Sequence, residues 1–178
     1  MKCGKKYRCT VLGLLLCTMV VLLFTGTVCP PAVMMTDIKI SPTTTTVAPG
    51  ETFTLDVIVE PAPGHAIAGM QFDLSFNSTL VTADSVTEGS VFSDSCNSTF
   101  FRGDRIDNEE GTISEIVCVV TEPGCAVSSS GTVATITFTA GTETGSSVIV
   151  FNNVKVGNAA GNSLLSSGYV GKVEVSPP

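Results

Sequence analysis

The chain contains a single histidine, His65, which follows Pro63 and Gly64 in a segment of turn-forming composition. A histidine that acts as a general base needs a nucleophile or a carboxylate within hydrogen-bond reach, and such partners usually come in recognisable patterns. The sequence has neither a G-x-S-x-G motif nor a pair of histidines at ligand spacing. We therefore interpret His65 as a solvated loop residue and predict that the chain is not an enzyme.

A second group of polar residues lies between positions 104 and 110. Its members are Asp104, Asp107, Asn108, Glu109 and Glu110. Calcium prefers carboxylate oxygens as ligands, and two carboxylates at a suitable separation can hydrolyse a glycoside. The spacing matches no calcium loop, however, and nearness in sequence does not establish a separation across a sugar. The composition favours a polar hairpin turn, and we predict neither a metal nor a cofactor in this chain.

The cysteines are a third source of chemistry. Three of the seven precede residue 20, and Cys29, Cys96, Cys118 and Cys125 follow. No C-x-x-C pair occurs, so a zinc site has little support. Cys96 and Cys125 lie in loop-like surroundings while Cys118 lies within a strand pattern, so we predict a Cys96–Cys125 disulfide, with Cys118–Cys125 as the alternative. The first bridge would close a loop of about 30 residues and contribute roughly 3–4 kcal/mol.

Two short motifs point to modification or adhesion. N-x-S/T sequons begin at Asn77 and Asn97 and are predicted glycan acceptors in an exported chain, with chance matches in a Ser/Thr-rich sequence as the alternative. Residues 102–104 read Arg-Gly-Asp, an integrin-binding tripeptide. We interpret this match as a coincidence because three-residue matches are common.

Residues 1–29 have the composition of an export signal. Residues 1–10 are basic, and residues 11–28 form an uncharged apolar run of eighteen residues. This order describes a signal peptide, but the run is also just long enough for an uncleaved signal anchor. Cys29 adds a lipoprotein alternative, although Val28 stands where a lipobox has a small residue. In each case residues 30–36 form a spacer, the rest is predicted to be secreted or at the cell surface, and membrane contact is confined to the N-terminal segment.

The charge distribution excludes one class of partner. From Pro30 onward the chain carries five basic and sixteen acidic side chains, a net charge of −11. A nucleic-acid binder needs clustered lysine and arginine to neutralise phosphates, so we expect no nucleic-acid partner. The acidic field would instead attract a protein with basic contacts.

Composition and periodicity predict an all-β domain over residues 37–176. Tryptophan is absent, Ser, Thr, Gly and Val are abundant, and every second residue of the clearest strand, 67–76, is apolar. We expect a linker over 41–50, no helix after the export signal, and nine short strands, which together indicate a β-sandwich. The predicted strands cover 37–40, 53–59, 67–76, 80–91, 100–106, 112–121, 132–140, 147–156 and 169–175.

The order of these segments resembles a cohesin domain over residues 36–176. The landmarks are TVAPGE (46–51) before FTLDV (53–57), then IAGMQFDLSF (67–76), VTEGS (86–90), GTVATITF (131–138) and NVKV (153–156). The resemblance implies a nine-stranded jelly-roll sandwich, related in architecture to cellulose- and carbohydrate-binding modules. It also implies non-catalytic adhesion, in which a cohesin binds the dockerin module of another protein and helps to assemble polysaccharide-degrading enzymes outside the cell.

The resemblance further implies a flat binding sheet built from strands 67–76, 100–106, 112–121 and 147–156. Cellulosomal members typically carry an Asn and an Asp on the first of these strands, where Gly69 and Gln71 stand here. We therefore predict partner contacts at Gln71, Asp73 and Ser75, which share the wet face of that strand. Dockerins resemble paired calcium loops, so calcium would lie on the partner side.

Two other functions are compatible with a sandwich of this kind. A carbohydrate-binding module is the first, but such modules commonly stack sugars on exposed aromatics, and this chain has no Trp and two Tyr, at Tyr7 and Tyr169. A structural surface or adhesion domain without a dockerin partner is the second.

Overall fold

The computed structural model describes residues 34–177. The predicted export segment, residues 1–29, and the first part of the predicted spacer lie outside this range. Within it, no helix is both long and apolar enough to cross a membrane. The first strand begins at Thr36, whose side chain is fully buried.

Two β-sheets make up this part of the chain. Five strands form the smaller sheet: β1 (Thr36–Ser41), β3 (Thr52–Glu60), β5 (Val81–Glu88), β9 (Gly131–Ala140) and β12 (Ser166–Tyr169). Their order across the sheet is β12-β1-β3-β9-β5.

Eight strands form the larger sheet: β2 (Thr44–Val47), β4 (Gly69–Ser75), β6 (Thr99–Arg102), β7 (Ile106–Asp107), β8 (Thr112–Val120), β10 (Gly145–Gly157), β11 (Ser163–Leu164) and β13 (Gly171–Val175). The order is β2-β13-β10-β4-β8-β6, with β11 beside β10 and β7 beside β8. A single helical turn, α1 (Ser90–Ser93), follows β5.

The alternation in the sequence places one face of each long strand in the interior. In β4 the apolar residues Met70, Phe72 and Leu74 are buried, and the residues between them are half-buried on the outer surface. Side chains of a strand point alternately to the two faces of its sheet, so this pattern matches a two-layer structure with one shared core. The predicted all-β sandwich is therefore confirmed.

The core joins residues of both sheets into one cluster. Phe138 of β9 meets Phe76, just after β4, edge-to-face with ring centroids 5.4 Å apart. Phe72 of β4 packs in the same manner against Phe151 of β10. The helical turn α1 adds Phe92, which is fully buried. Each fully buried side chain of this size contributes about 1.5–3 kcal/mol.

The predicted number of strands was wrong, because the described residues form thirteen strands and not nine. The range 41–50, predicted as a linker, contains β2, which pairs in parallel with β13. Its threonines suit a strand, but a parallel partner more than 120 residues later leaves no local signal. The strands β11 and β12 are short and rich in Ser and Gly, so their composition reads as turn.

Two further predicted boundaries need correction. The strand predicted over 100–106 is divided at Gly103, whose buried backbone lies so close to Val86 that a Cβ would be 2.8 Å from the Val86 Cβ. The prediction of no helix after the export signal was also wrong, since the single helical turn α1 follows β5. This turn buries Val91 and Phe92 against the sheets, which explains why the apolar pair interrupts the strand pattern.

Asn108 bridges the two layers at the edge of the smaller sheet. Its Oδ1 accepts the Ala83 N–H at 2.8 Å, and its Nδ2 donates to the Ala83 carbonyl at 3.0 Å. β5 is an edge strand and pairs with β9 on its inner side. Asn108, which lies in a turn of the other layer, therefore pairs with both backbone groups of Ala83 on the open side of β5.

Candidate functional site

The outer surface of β10, β4, β8 and β6 is the candidate site, and we call it the four-strand face. These strands correspond to the four that the sequence resemblance assigns to a binding sheet, and they lie side by side in the larger sheet. All neighbouring pairs within the face are antiparallel. The face is therefore a continuous sheet surface presented by the outward residues of four strands.

Two rows of side chains cross one end of the four-strand face. Strand register aligns the first row as Phe100, Val119, Gly69 and Gly157. It aligns the second row as Arg102, Val117, Gln71 and Lys155. The first row is apolar, and it projects little above the sheet because two of its four members are glycines. At its end, the Phe100 side chain is 51% exposed. The second row is apolar in part and carries a cation at each end.

The three predicted contact residues of β4 all project from the four-strand face. Gln71, Asp73 and Ser75 are half-buried, since the residues between them point into the core. Gln71 lies between register partners on β8 and β10, and the Ser75 Oγ accepts a hydrogen bond from Asn152 Nδ2 at 3.1 Å. Their contact with a partner stays a prediction.

Asp73 anchors two irregular stretches of backbone. Its Oδ1 accepts the Glu115 N–H at 2.7 Å, and its Oδ2 accepts the Asn153 Nδ2 hydrogen at 2.5 Å. Glu115 and Asn153 are the two non-glycine residues with positive φ within 34–177, at 52° and 51°. Both lie where the neighbouring strand shifts register against β4. The carboxylate thus fixes a bulge on each side of itself and positions the face.

The cations of the described chain differ in whether a carboxylate neutralises them. Four of them form ion pairs: Lys39, Arg102, Arg105 and Lys172. The Glu115 carboxylate pairs with both arginines, and its Oε2 lies 2.8 Å from Arg105 Nη1. Lys155 is exposed and is the one lysine or arginine of residues 34–177 without such a pair. The four-strand face therefore offers one uncompensated positive charge in a strongly acidic chain.

A shallow depression of about 480 Å³ lies at the end of the face that carries the two rows. Gly69, Gly157 and Val119 form its floor, and two segments, the loop 121–125 and the residues 158–163 that lead into β11, form its walls. Asn158 shapes the second loop, because its Oδ1 accepts the N–H groups of Ala160 and Asn162 at 3.0 and 2.9 Å. The depression exists because neither glycine fills the space above the sheet.

A disulfide holds the first of these loops. Cys96 and Cys125 are bonded, with their Cα atoms 6.1 Å apart and a sequence separation of 29. Beside it, the Glu122 carboxylate accepts the Asn97 N–H at 2.7 Å and both of its oxygens lie within 3.2 Å of Asn97 Nδ2. These three groups, Cys96, Glu122 and Cys125, are close enough to hold a metal ion in principle, but the sulfurs are already bonded to each other.

The two sequons lie at opposite ends of the four-strand face. Asn77 is exposed just after β4, and its Oδ1 accepts the N–H and the hydroxyl of Thr79 at 3.0 and 2.8 Å. Asn97 is exposed before β6, where Glu122 holds its amide. Glycosylation of either residue stays a prediction, and a glycan on Asn97 would sit near the wall of the depression.

Cys118 is fully buried in β8 and unbonded. Burial, together with the smaller effect of the nearby Glu88 carboxylate 3.7 Å from the sulfur, raises the pKa of the Cys118 thiol to about 12. The protonated thiol is the form that the folded state stabilises. Cys118 therefore acts as a core residue and not as a nucleophile.

The raised pKa of Cys118 predicts a loss of stability in alkaline solution. The ordinary thiol pKa is 9.0, so between pH 9 and about 12 the unfolded chain loses a proton that the folded chain keeps. The free energy of unfolding should be insensitive to this group below pH 9 and then fall by up to about 1.4 kcal/mol per pH unit. Urea denaturation at a series of pH values measures the slope. The Cys118→Ala variant should lack this component, and identical slopes for the two chains would contradict the prediction.

The remaining candidates from the sequence do not form a site. His65 lies exposed in the loop after β3. The acidic group at 104–110 extends from the segment before β7 into the turn between β7 and β8, where the Asp107 Oδ1 accepts the N–H groups of Glu109 and Glu110, each at 3.0 Å. Within the described residues it does not bring three ligand atoms together as a metal site would. In the tripeptide at 102–104, Arg102 forms an ion pair with Glu115, and Gly103 is buried.

Comparison with known proteins identifies the family. The sequence model of the cohesin domain family matches residues 38–175 of this chain. Among solved structures, a chain of the Coh-OlpC-Doc435 type I cohesin–dockerin complex from Clostridium thermocellum shares 17% identity, with a TM-score of 0.66 over 82% of this chain and 96% of that one. A chain of the Coh-OlpA-Doc918 complex of the same organism shares 18% identity, with a TM-score of 0.66 over 80% and 99%.

Similarity extends beyond complexes of that kind. A non-cellulosomal cohesin from the hyperthermophilic archaeon Archaeoglobus fulgidus shares 16% identity, with a TM-score of 0.60 over 80% of this chain and 91% of that one. No curated protein matches the sequence. At these identities the structures establish a common fold, and the family model, which spans most of the sequence, establishes membership. The chain belongs to the cohesin family.

Proposed function

We propose that this chain is an extracellular, non-catalytic module that docks a dockerin-bearing protein on its four-strand face. The observation that carries the proposal is the coincidence of two features: a cohesin match over residues 38–175 and a continuous outer sheet surface with the exposed Phe100 and the half-buried Val117 and Val119. Exposed apolar residues set among polar ones on a flat surface are typical of protein interfaces. The associated process is assembly of polysaccharide-degrading enzymes at or outside the cell surface.

The overall charge supports a protein partner of complementary sign. With a net charge of −11 from Pro30 onward, the chain would steer a basic partner toward itself, and association should slow as salt is added. On the four-strand face itself, Arg102 is paired with Glu115, and Lys155 adds one unpaired positive charge. Long-range steering and local contacts are therefore separate contributions to recognition.

The test is a binding measurement between the full chain, kept in a mild nonionic detergent, and the dockerins encoded by the same organism. We expect a specific complex that calcium chelation abolishes, because dockerins resemble paired calcium loops. Retention on insoluble polysaccharide that is indifferent to chelator would favour a carbohydrate-binding module instead. No retention by any dockerin of that organism would overturn the proposal.

Substitutions on the face should weaken the complex. Gln71→Arg and Ser75→Arg each place a long cation on the outer surface of β4, and we expect each to weaken dockerin binding by at least about tenfold, since truncations or clashes at an interface centre cost 1–2 kcal/mol or more. The matched control is Thr54→Arg, which puts the same side chain on an exposed site of the smaller sheet. Isothermal titration measures the affinities. Equal weakening by the control would contradict a site on the four-strand face.

A further inference from the structure

The depression on the four-strand face has a chemical character that the proposed function does not specify. Its floor is the low end of the first row, where Gly69 and Gly157 are register partners and Val119 continues the row on β8. Most of its remaining lining is apolar or backbone, including Ala68, Pro123 and Ala159. A recess of this kind accepts an apolar side chain, because no polar group at its floor would lose water without a partner.

The recess is kept open by backbone geometry and by restrained walls. A Cβ on Gly69 would lie 3.1 Å from a Val119 methyl and 3.3 Å from the Cys118 carbonyl oxygen, so any larger residue there would crowd the floor. One wall is fixed by the Cys96–Cys125 disulfide, and the other by the Asn158 turn. A pre-formed recess avoids the ordering cost that a flexible one would impose on a ligand.

The charge beside the recess selects its occupant. Lys155 lines the recess, is exposed, and is the one described lysine or arginine without an ion pair. The one acidic residue that lines the recess is Glu122, in the wall formed by 121–125, and its carboxylate accepts hydrogen bonds from Asn97 and forms no ion pair with Lys155. An unpaired ammonium next to an apolar recess is complementary to a carboxylate that is attached close to an apolar side chain.

We propose that this recess is a specificity subsite for a partner segment in which an apolar residue is followed by Asp or Glu. The apolar side chain enters above Gly69 and Gly157, and the carboxylate pairs with Lys155. The proposal rests on the proposed function, because it treats the recess as part of the docking face. It predicts a partner that is basic overall, as the acidic field requires, but acidic at this one contact.

Short peptides test the subsite independently of any dockerin. The probes are acetyl-Leu-Asp-amide, acetyl-Leu-Asn-amide and acetyl-Leu-Lys-amide, titrated into the ¹⁵N-labelled full chain in detergent while amide shifts are followed by NMR. We expect the Leu-Asp peptide to shift the amides of Gly69, Gly157 and Val119 and to bind about two- to fivefold more tightly than Leu-Asn at low salt. Added salt should remove that preference, since it depends on one exposed ion pair.

Three variants distinguish the two parts of the subsite. Lys155→Gln should abolish the preference for Leu-Asp, and Lys172→Gln, a lysine of the same sheet outside the recess, should keep it. Gly157→Leu should abolish the shifts with every peptide, and it should fold normally, because the nearest atom to a Cβ there is the Asn162 oxygen at 3.8 Å. Circular dichroism checks the fold of each variant.

The outcomes separate this inference from the proposed function. A preference for Leu-Lys, shifts elsewhere on the surface, or concentration-dependent shifts of the same amides without peptide, which would indicate a second copy of the chain, would each overturn the subsite. If Lys155→Glu leaves dockerin affinity unchanged while Ser75→Arg abolishes it, the face docks and the subsite is wrong. If the peptides behave as expected but no dockerin binds, the subsite stands and the proposed partner is wrong.

Discussion

Replacing Asp73 with alanine is expected to destabilise the fold by about 3 kcal/mol, which corresponds to a decrease in Tm of about 10 °C for a domain of this size. The variant removes two hydrogen bonds to a carboxylate, from the Glu115 N–H at 2.7 Å and from Asn153 Nδ2 at 2.5 Å. It also leaves Glu115 and Asn153, which have positive φ on the two neighbouring strands, without the carboxylate that holds their conformation. Urea denaturation with a linear extrapolation measures the change.

Two companion variants separate the contributions of the two bonds. Asp73→Asn can keep an oxygen for the Glu115 N–H but presents an amide to the Asn153 amide, so we expect roughly half of the loss. Asn153→Gly removes one bond and retains a residue that adopts positive φ readily, so its cost should be about 1–2 kcal/mol. If Asp73→Ala and the wild type unfold at the same urea concentration, the carboxylate does not hold the bulges.

Gly111→Ala is expected to have the largest effect on stability, at least about 4 kcal/mol. Gly111 has a φ of 68°, and a Cβ there would lie 2.3 Å from the Phe76 carbonyl oxygen. The carbonyl of Gly111 also accepts the Phe76 N–H at 2.8 Å, so the two backbones cannot separate without losing that hydrogen bond. A positive φ costs an alanine about 1–2 kcal/mol, and the backbone overlap adds to it.

Gly64→Ala is the matched control for this substitution. Gly64 has a φ of 78°, and nothing lies within 4 Å of the position where its Cβ would be. The control should therefore lose about 1–2 kcal/mol, the cost of the conformation alone. Thermal and urea unfolding of both variants gives the comparison. Similar losses at the two positions would show that the approach of Phe76 to Gly111 is unimportant.

The part of the fold that the sequence predicted is the part with local signals. Alternation over β4 and over β9, and the Gly, Pro and Asn turns between strands, predict two stacked sheets because the period of two assigns a face to each residue. The outward placement of Gln71, Asp73 and Ser75 follows from the same alternation. Short strands whose partners lie far away, such as β2, carry no such signal and were missed.

The candidate site was predicted as a surface but not in its chemistry. Which residues share a row depends on register, and the bulges at Glu115 and Asn153 shift that register by amounts that no pattern in the sequence indicates. That Lys155 is unpaired likewise depends on the tertiary structure, which places a carboxylate beside each of the four other described cations but not beside Lys155. The sequence pointed to Asp73 as a contact for a partner, whereas the structure engages both of its oxygens internally.

The Asn108 bridge has a consequence for how molecules of this chain behave at high concentration. An edge strand is a template on which a strand of another molecule can add, and sheet proteins aggregate by this route when the edge is long and regular. At Ala83 the N–H and the carbonyl that an incoming strand would need are already taken by a side-chain amide. At high concentration the chain would thus resist stacking edge to edge along β5 at this residue.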